Sequence, residues 1–204
     1  FRTCAGRSRL DPAWRGGYPA AMPRRPLPTS RHPELHRTNR VGWLRAAGFI
    51  LKTEGKDGQQ FGFSVADGKL QGHCDGVFVG GPEGFAYPAL WECKALGSKS
   101  WTDLAKKGLA ASKPVYAAQV AIYQTYLGLF DNPAIFTAVN ADSMEIYTEL
   151  VPFDAALAQK MSDRAVRVIQ ATEAGELLPR SFAQADHFEC RFCSYAERCW
   201  GGAS

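Results

Sequence analysis

The chain has 204 residues, 46% of them apolar and 22% charged, which suits a globular domain with its own core and argues against a disordered chain. No apolar run approaches the roughly 20 residues that cross a bilayer, and the Arg- and Pro-rich start lacks the apolar centre of a secretory signal. The formal charge of +4 is uneven: residues 1–40 carry nine Arg against Asp11 and Glu34, whereas the remainder carries 15 basic and 18 acidic side chains. A uniformly basic nucleic-acid binder is therefore excluded for the body of the chain, and phosphate attraction falls to the N-terminal arm or a local cleft. That arm reads equally as a disordered soluble tail. The expectation is a cytoplasmic protein with no membrane contact.

Residues 1–33 hold six of the twelve prolines and little apolar periodicity, so irregular structure is expected there. The compact body is expected from residue 34 to residue 180, followed by a Cys-rich segment over 181–204. Residues 35–49 read as a helix with Leu35, Val41, Trp43, Leu44 and Ala47 on one side and Gly48 as its stop. Residues 49–53 and 60–65 read as strands joined by the turn Gly55-Lys56-Asp57-Gly58. After the turn at Ala66-Asp67-Gly68, residues 69–79 read as one strand that bears Asp75. A Gly- and Pro-rich loop leads to residues 89–95, whose Ala89, Leu90, Trp91 and Cys93 fit a strand buried on both faces.

Residues 101–111 read as a helix capped by Ser100, and Pro114 opens a second helix reaching about residue 130. Residues 134–140 and 144–151 read as a β-hairpin, and residues 154–174 as a long helix ended at Gly175. The pattern predicts a mixed α/β or α+β fold. It lacks both a long β-α alternation and a Gly-rich phosphate loop, which argues against Rossmann and P-loop architectures.

Asp75, Glu92 and Lys94 interrupt apolar, strand-like surroundings, and charge there is costly unless paired or bound to a metal. Glu92 and Lys94 are two apart, so in a strand they share one face. Two carboxylates suit Mg²⁺, with the Cys93 carbonyl as a further oxygen, and a neighbouring lysine would position water and stabilise developing charge. The plainer alternative is a buried Glu–Lys pair with Asp75 in a turn. Gln119 and Tyr123 lie four apart on a helix and project from one face, either to hold phosphate or as a core Tyr beside a satisfied Gln. Cys190, Cys193 and Cys199 fall within ten residues, a spacing suited to an iron–sulfur cluster or to Zn²⁺ with His187. Cys74 and Cys93 read as small core residues.

In this order, Asp75, Glu92-x-Lys94 and Gln119-x-x-x-Tyr123 resemble the PD-(D/E)XK nucleases, and the last element resembles the RecB-type branch with its λ-exonuclease-like and CRISPR spacer-acquisition relatives. The resemblance, closest to phage-borne members, covers about 160 residues. It implies a restriction-endonuclease-like fold, a central mixed β-sheet flanked by helices, with a Cys-rich C-terminal staple. It also implies Mg²⁺ or Mn²⁺ on Asp75 and Glu92, Lys94 as catalytic base partner, and Gln119 and Tyr123 lining the cleft. His36 or Glu34 would add a ligand from the first helix, although Asn39 stands where the family's acid is sought. Cys4 would join Cys190, Cys193 and Cys199 around a 4Fe–4S cluster. The implied function is a metal-dependent DNA nuclease, an exonuclease acting in phage recombination or DNA processing beside a recombination or repair protein. Two alternatives stay open, a catalytically weak or inactive nuclease-fold DNA-binding or assembly module and a zinc-stapled interaction protein.

Overall fold

The computed structural model of the protein describes residues 33–201, and for residues 33–39 the backbone alone. The chain divides into two compact units, one ending at Met161 and the other beginning at Ser162. In the first, helix α1 (Pro33–Ala46) precedes strand β1 (Ile50–Lys52), a hairpin of β2 (Gly62–Val65) and β3 (Leu70–His73), and strands β4 (Gly76–Gly80) and β5 (Ala89–Leu96). Helices α2 (Ser98–Ser112) and α3 (Pro114–Tyr126) and strands β6 (Ala134–Asn140) and β7 (Ile146–Val151) follow, and helix α4 (Ala155–Glu173) begins in this unit and runs past Ser162 into the second. Short helices α5 (Phe188–Arg191) and α6 (Ala196–Trp200) belong to the second unit. Among the described residues, no helix is long and apolar enough to cross a membrane.

The main sheet runs β1-β4-β5-β6-β7, with β5 at its centre. Strand β5 pairs antiparallel with β4 and parallel with β6, and the α2–α3 pair supplies the crossover between the parallel strands. Both edges of β5 are therefore paired, and both faces are covered. Leu90 and Leu96 face Leu104 and Leu109 of α2 and Val120 and Ile122 of α3, with Leu157 and Met161 of α4 joining this layer. Ala89, Trp91 and Cys93 face Leu51, Phe78 and Ile135, with Val41 and Leu44 of α1 packed on top. This double burial explains the continuous apolar run of β5.

Trp43, expected to point inward with Val41 and Leu44, is exposed. Two residues beyond Val41 lie more than half way round the helix, outside the stripe that Val41 and Leu44 define. Arg40 occupies that stripe instead and is buried.

The single strand expected over residues 69–79 is divided. Strand β3 pairs with β2 in a separate two-stranded sheet, whereas β4 pairs with β1 and β5 in the main one. Cys74 and Asp75 form the crossing between the two sheets. Alternating side chains look alike across such a break, because period-2 patterning carries no record of which partner strand is used.

Helix α2 starts at Ser98, and its cap comes from across the sheet and not from Ser100. The Ser98 N–H and hydroxyl donate to Asp142 Oδ2 at 3.0 and 2.7 Å, from the turn that joins β6 to β7. Gly108, at φ 77°, breaks the helix ladder, and the Leu109 N–H beside it donates to Glu149 Oε2 on β7 at 2.8 Å. Glycine is required at such a φ because it lacks the Cβ that would clash.

Asp142→Ala removes the cap that ties α2 to the sheet. It is expected to lower stability by about 1 kcal/mol, read as a lower urea midpoint, and an unchanged midpoint would count against this cap.

Candidate active site

Strand β4 stops pairing with β5 at Gly76, which lies opposite Trp91. One step further along that register would set Asp75 opposite Glu92. The Asp75 carboxylate takes up the strand's next hydrogen bond, with the Cys93 N–H donating to Oδ2 at 2.8 Å. Asp75 is thereby fixed against the central strand, beside the residue that carries the second acid.

Glycines make this approach possible. A Cβ at Gly76 would lie 2.8 Å from the Lys52 carbonyl oxygen and 2.9 Å from Leu51 Cδ1. A Cβ at Gly72 would lie 2.6 Å from Tyr123 Cε1 and 2.8 Å from Phe63 Cε1. A side chain at Gly76 would crowd β1, and one at Gly72 would crowd the Tyr123 and Phe63 rings.

Glu92 is only 2% exposed. Its Oε1 accepts a hydrogen bond from Lys94 Nζ, and the two form an ion pair on the α2–α3 face of β5. Its Oε2 is buried with no hydrogen-bond partner among the described residues. Leaving a buried acceptor unsatisfied costs about 1–3 kcal/mol, and more when it is charged. Burial pushes the Glu92 carboxyl up to about 7, against the pull of Lys94 and with repulsion from Asp75 adding to the rise. For Lys94, burial works against the charge, but the Glu92 carboxylate outweighs it and raises the ammonium above its ordinary value. The other orphaned oxygen among the described residues, Gln124 Oε1, belongs to an amide that already donates to the Asn132 carbonyl at 3.2 Å.

Helix α3 brings Gln119 and Tyr123 to the same place. Gln119 Nε2 donates to the Tyr123 hydroxyl at 2.9 Å, so the phenol keeps its own proton to donate. Burial raises the Tyr123 phenol above its ordinary value, Gln119 lowers it, and the Glu92 charge raises it further. Its ring meets Phe63 of β2 edge-on at 5.9 Å, with Gly72 alongside. Asp75, Glu92, Lys94, Gln119 and Tyr123 therefore form one constellation, fed by the sheet crossing, β5 and α3.

The Cys93 thiol points away from this constellation. It accepts hydrogen bonds from Arg40 Nη1 and Thr137 Oγ1, both at 2.8 Å, on the α1 face of the strand. Burial pushes this thiol up to about 11, partly offset by Arg40, and pushes Cys74 up to about 12. Both stay protonated, as small core side chains. Arg40 also donates to the Lys94 carbonyl at 3.1 Å, a support behind the site that the sequence reading did not single out. Its place in the stripe of Val41 and Leu44 was the available signal.

His36, Glu34, Asn39 and Cys4 have side chains outside the described residues. In the second unit, Cys190 is buried and Cys193 Sγ accepts a hydrogen bond from the Tyr195 N–H at 3.4 Å. His187 Nδ1 caps α5 through the Glu189 N–H, and its ring stacks on Phe182 at 3.7 Å. Among the described residues, no three His, Cys, Asp or Glu side chains are grouped to hold a metal ion. The two carboxylates remain compatible with Mg²⁺, which takes one or two protein carboxylates and fills its octahedron with water and phosphate oxygens.

No protein-family model and no curated protein matches the chain. Among solved structures it is similar to an alkaline exonuclease (LHK-Exo) from Laribacter hongkongensis, with a TM-score of 0.52 and 18% identity over 69% of this chain. The match spans 66% of that exonuclease, just under two thirds of its length. A second structure, SSO0001, aligns at a TM-score of 0.46 and 18% identity over 84% of this chain and 70% of its own, too loosely to inform the fold. The likeness to the exonuclease shows a shared fold, a central mixed sheet flanked by helices.

Gly72→Ala is expected to cost about 1–3 kcal/mol through overpacking against Tyr123 and Phe63. Gly42→Ala, in α1 with nothing within 4 Å of the added methyl, is expected to be neutral or stabilising. Thermal unfolding of the two variants checks this, and equal midpoints would contradict the tight packing at Gly72.

Proposed function

We propose that the chain is a divalent-metal-dependent deoxyribonuclease of the PD-(D/E)XK type, acting on DNA at this constellation. The observation that carries the reading is Glu92: a buried carboxylate with one oxygen on Lys94 and the other without a partner among the described residues, beside the Asp75 carboxylate. Such an oxygen is the donor a hard cation takes. The shared fold with an alkaline exonuclease supports the same class.

Asp75 and Glu92 would hold Mg²⁺ or Mn²⁺, with the Cys93 carbonyl and a first-helix side chain, His36 or Glu34, as further donors. When bound there, the ion supplies Lewis-acid polarisation of the phosphoryl group and acidifies water. In the hydrolysis, a water oxygen joins phosphorus, the phosphorus–oxygen bond to one sugar breaks, and the water's proton passes through solvent to the leaving oxygen. Lys94, anchored on Glu92, orients the water and stabilises charge on the phosphoryl oxygens. The Gln119–Tyr123 pair offers the phenol O–H to a phosphate oxygen. An exonuclease in recombination or DNA processing is the finer form of this reading. It rests on the carboxylates and not on the cysteines.

The Glu92–Lys94 ion pair also favours a second reading, a nuclease-fold DNA-binding module in which the pair only satisfies a buried charge. One assay separates the two. Mn²⁺-dependent degradation of end-labelled linear DNA is expected for the wild type, falling by about a hundredfold or more in Glu92→Gln and in Lys94→Ala. Equal degradation by wild type and Lys94→Ala would remove Lys94 from the mechanism. Binding of DNA without cleavage in any divalent metal would establish the second reading.

A further inference from the structure

Lys94 has a four-carbon side chain with much rotamer freedom, and anchoring at Glu92 alone fixes only one direction. A second contact fixes another. Lys94 Nζ lies over the ring of Tyr116, 5.1 Å from the centroid, within the range at which an ammonium is drawn to an aromatic face. The Tyr116 ring is itself braced, stacking at 6.4 Å and 29° on Phe136 of β6. Phe136 is fully buried and sits opposite Glu92 in the parallel register. Tyr116 lies in the first turn of α3, just after Pro114 and three residues before Gln119. Tyr116, Gln119 and Tyr123 therefore follow one another along one stripe of the helix.

We propose that Tyr116 is a positioning residue for phosphodiester hydrolysis, its ring holding the Lys94 ammonium beside Glu92 by cation–π attraction. The proposal rests on the nuclease reading and adds to it a residue outside the acid, lysine and glutamine–tyrosine set. The ring does the positioning, so the hydroxyl is dispensable and the aromatic face is not. Tyr116→Leu removes the face and keeps an apolar body against Phe136, whereas Tyr116→Phe keeps both.

Two measurements on the full chain test it. In the metal-free protein carrying ¹³C-labelled lysine, the Lys94 ε-methylene protons, assigned by their loss in Lys94→Ala, are expected upfield of an ordinary lysine through the ring current. The shift should vanish in Tyr116→Leu and persist in Tyr116→Phe. With Mn²⁺ and linear DNA, Tyr116→Leu is expected to lower kcat by about tenfold with KM within about twofold, as for a contact that matters in the transition state. Tyr116→Phe should restore kcat to within about threefold of wild type. An ordinary Lys94 shift in the wild type overturns the ring contact. A lost shift with unchanged kcat in Tyr116→Leu overturns the positioning role and leaves the nuclease reading standing. A wild type that cleaves no DNA overturns the nuclease reading and the catalytic role together, while the ring contact is still judged by the shift.

Discussion

Everything at the candidate site depends on a carboxylate placed where carboxylates are expensive. Glu92 stands in the central strand of the sheet, paired on both edges and covered on both faces, with almost no access to water. Lys94 compensates one of its oxygens, and the other has no partner among the described residues. A chain selected for stability alone would fill this position with an apolar residue, because a buried ion pair is often no better than a well-packed hydrophobe. We read this oxygen as a binding position more than a structural one.

The surrounding fold serves that position in layers. Strand β5 presents Glu92 and Lys94 toward α2 and α3, while its opposite face is locked by Trp91, Cys93 and the Arg40 and Thr137 hydrogen bonds. Trp91 Nε1 donates to Thr137 Oγ1 at 3.0 Å, so the back of the site is a bonded network as well as a packed one. On the front, Asp75 reaches β5 because the chain changes sheets there, and Gly72 and Gly76 leave room for Tyr123 and for the neighbouring strand. The short motif around Asp75 thus works as a hinge between two sheets that delivers one acid to another.

Much of this was legible in the sequence, for identifiable reasons. The apolar run of residues 89–95 announces a strand buried on both faces, and the helix from Pro114 announces the Gln119–Tyr123 pair by its four-residue spacing. The hairpin of β6 and β7 follows from its turn. Illegible were features set by distant partners. The division of residues 69–79 between two sheets depends on which strands they meet. The Asp142 cap of Ser98 spans 44 residues, and the contact of Lys94 with Tyr116 leaves no periodic trace. The burial of Arg40 has one local trace, its place beside Val41 and Leu44, because an arginine in an amphipathic helix ordinarily faces water.

The central proposal is that the Glu92 oxygen with no partner among the described residues, with Asp75 beside it, is a divalent-cation donor. The most direct measurement is Mn²⁺ binding in the absence of DNA, followed by titration calorimetry or by the loss of the free Mn²⁺ paramagnetic resonance signal. The account predicts a stoichiometric site in the wild type that weakens at least about tenfold in Glu92→Gln, a near-isosteric change that removes the charge while keeping the side chain's shape. Mn²⁺ bound equally well by wild type and Glu92→Gln would contradict it.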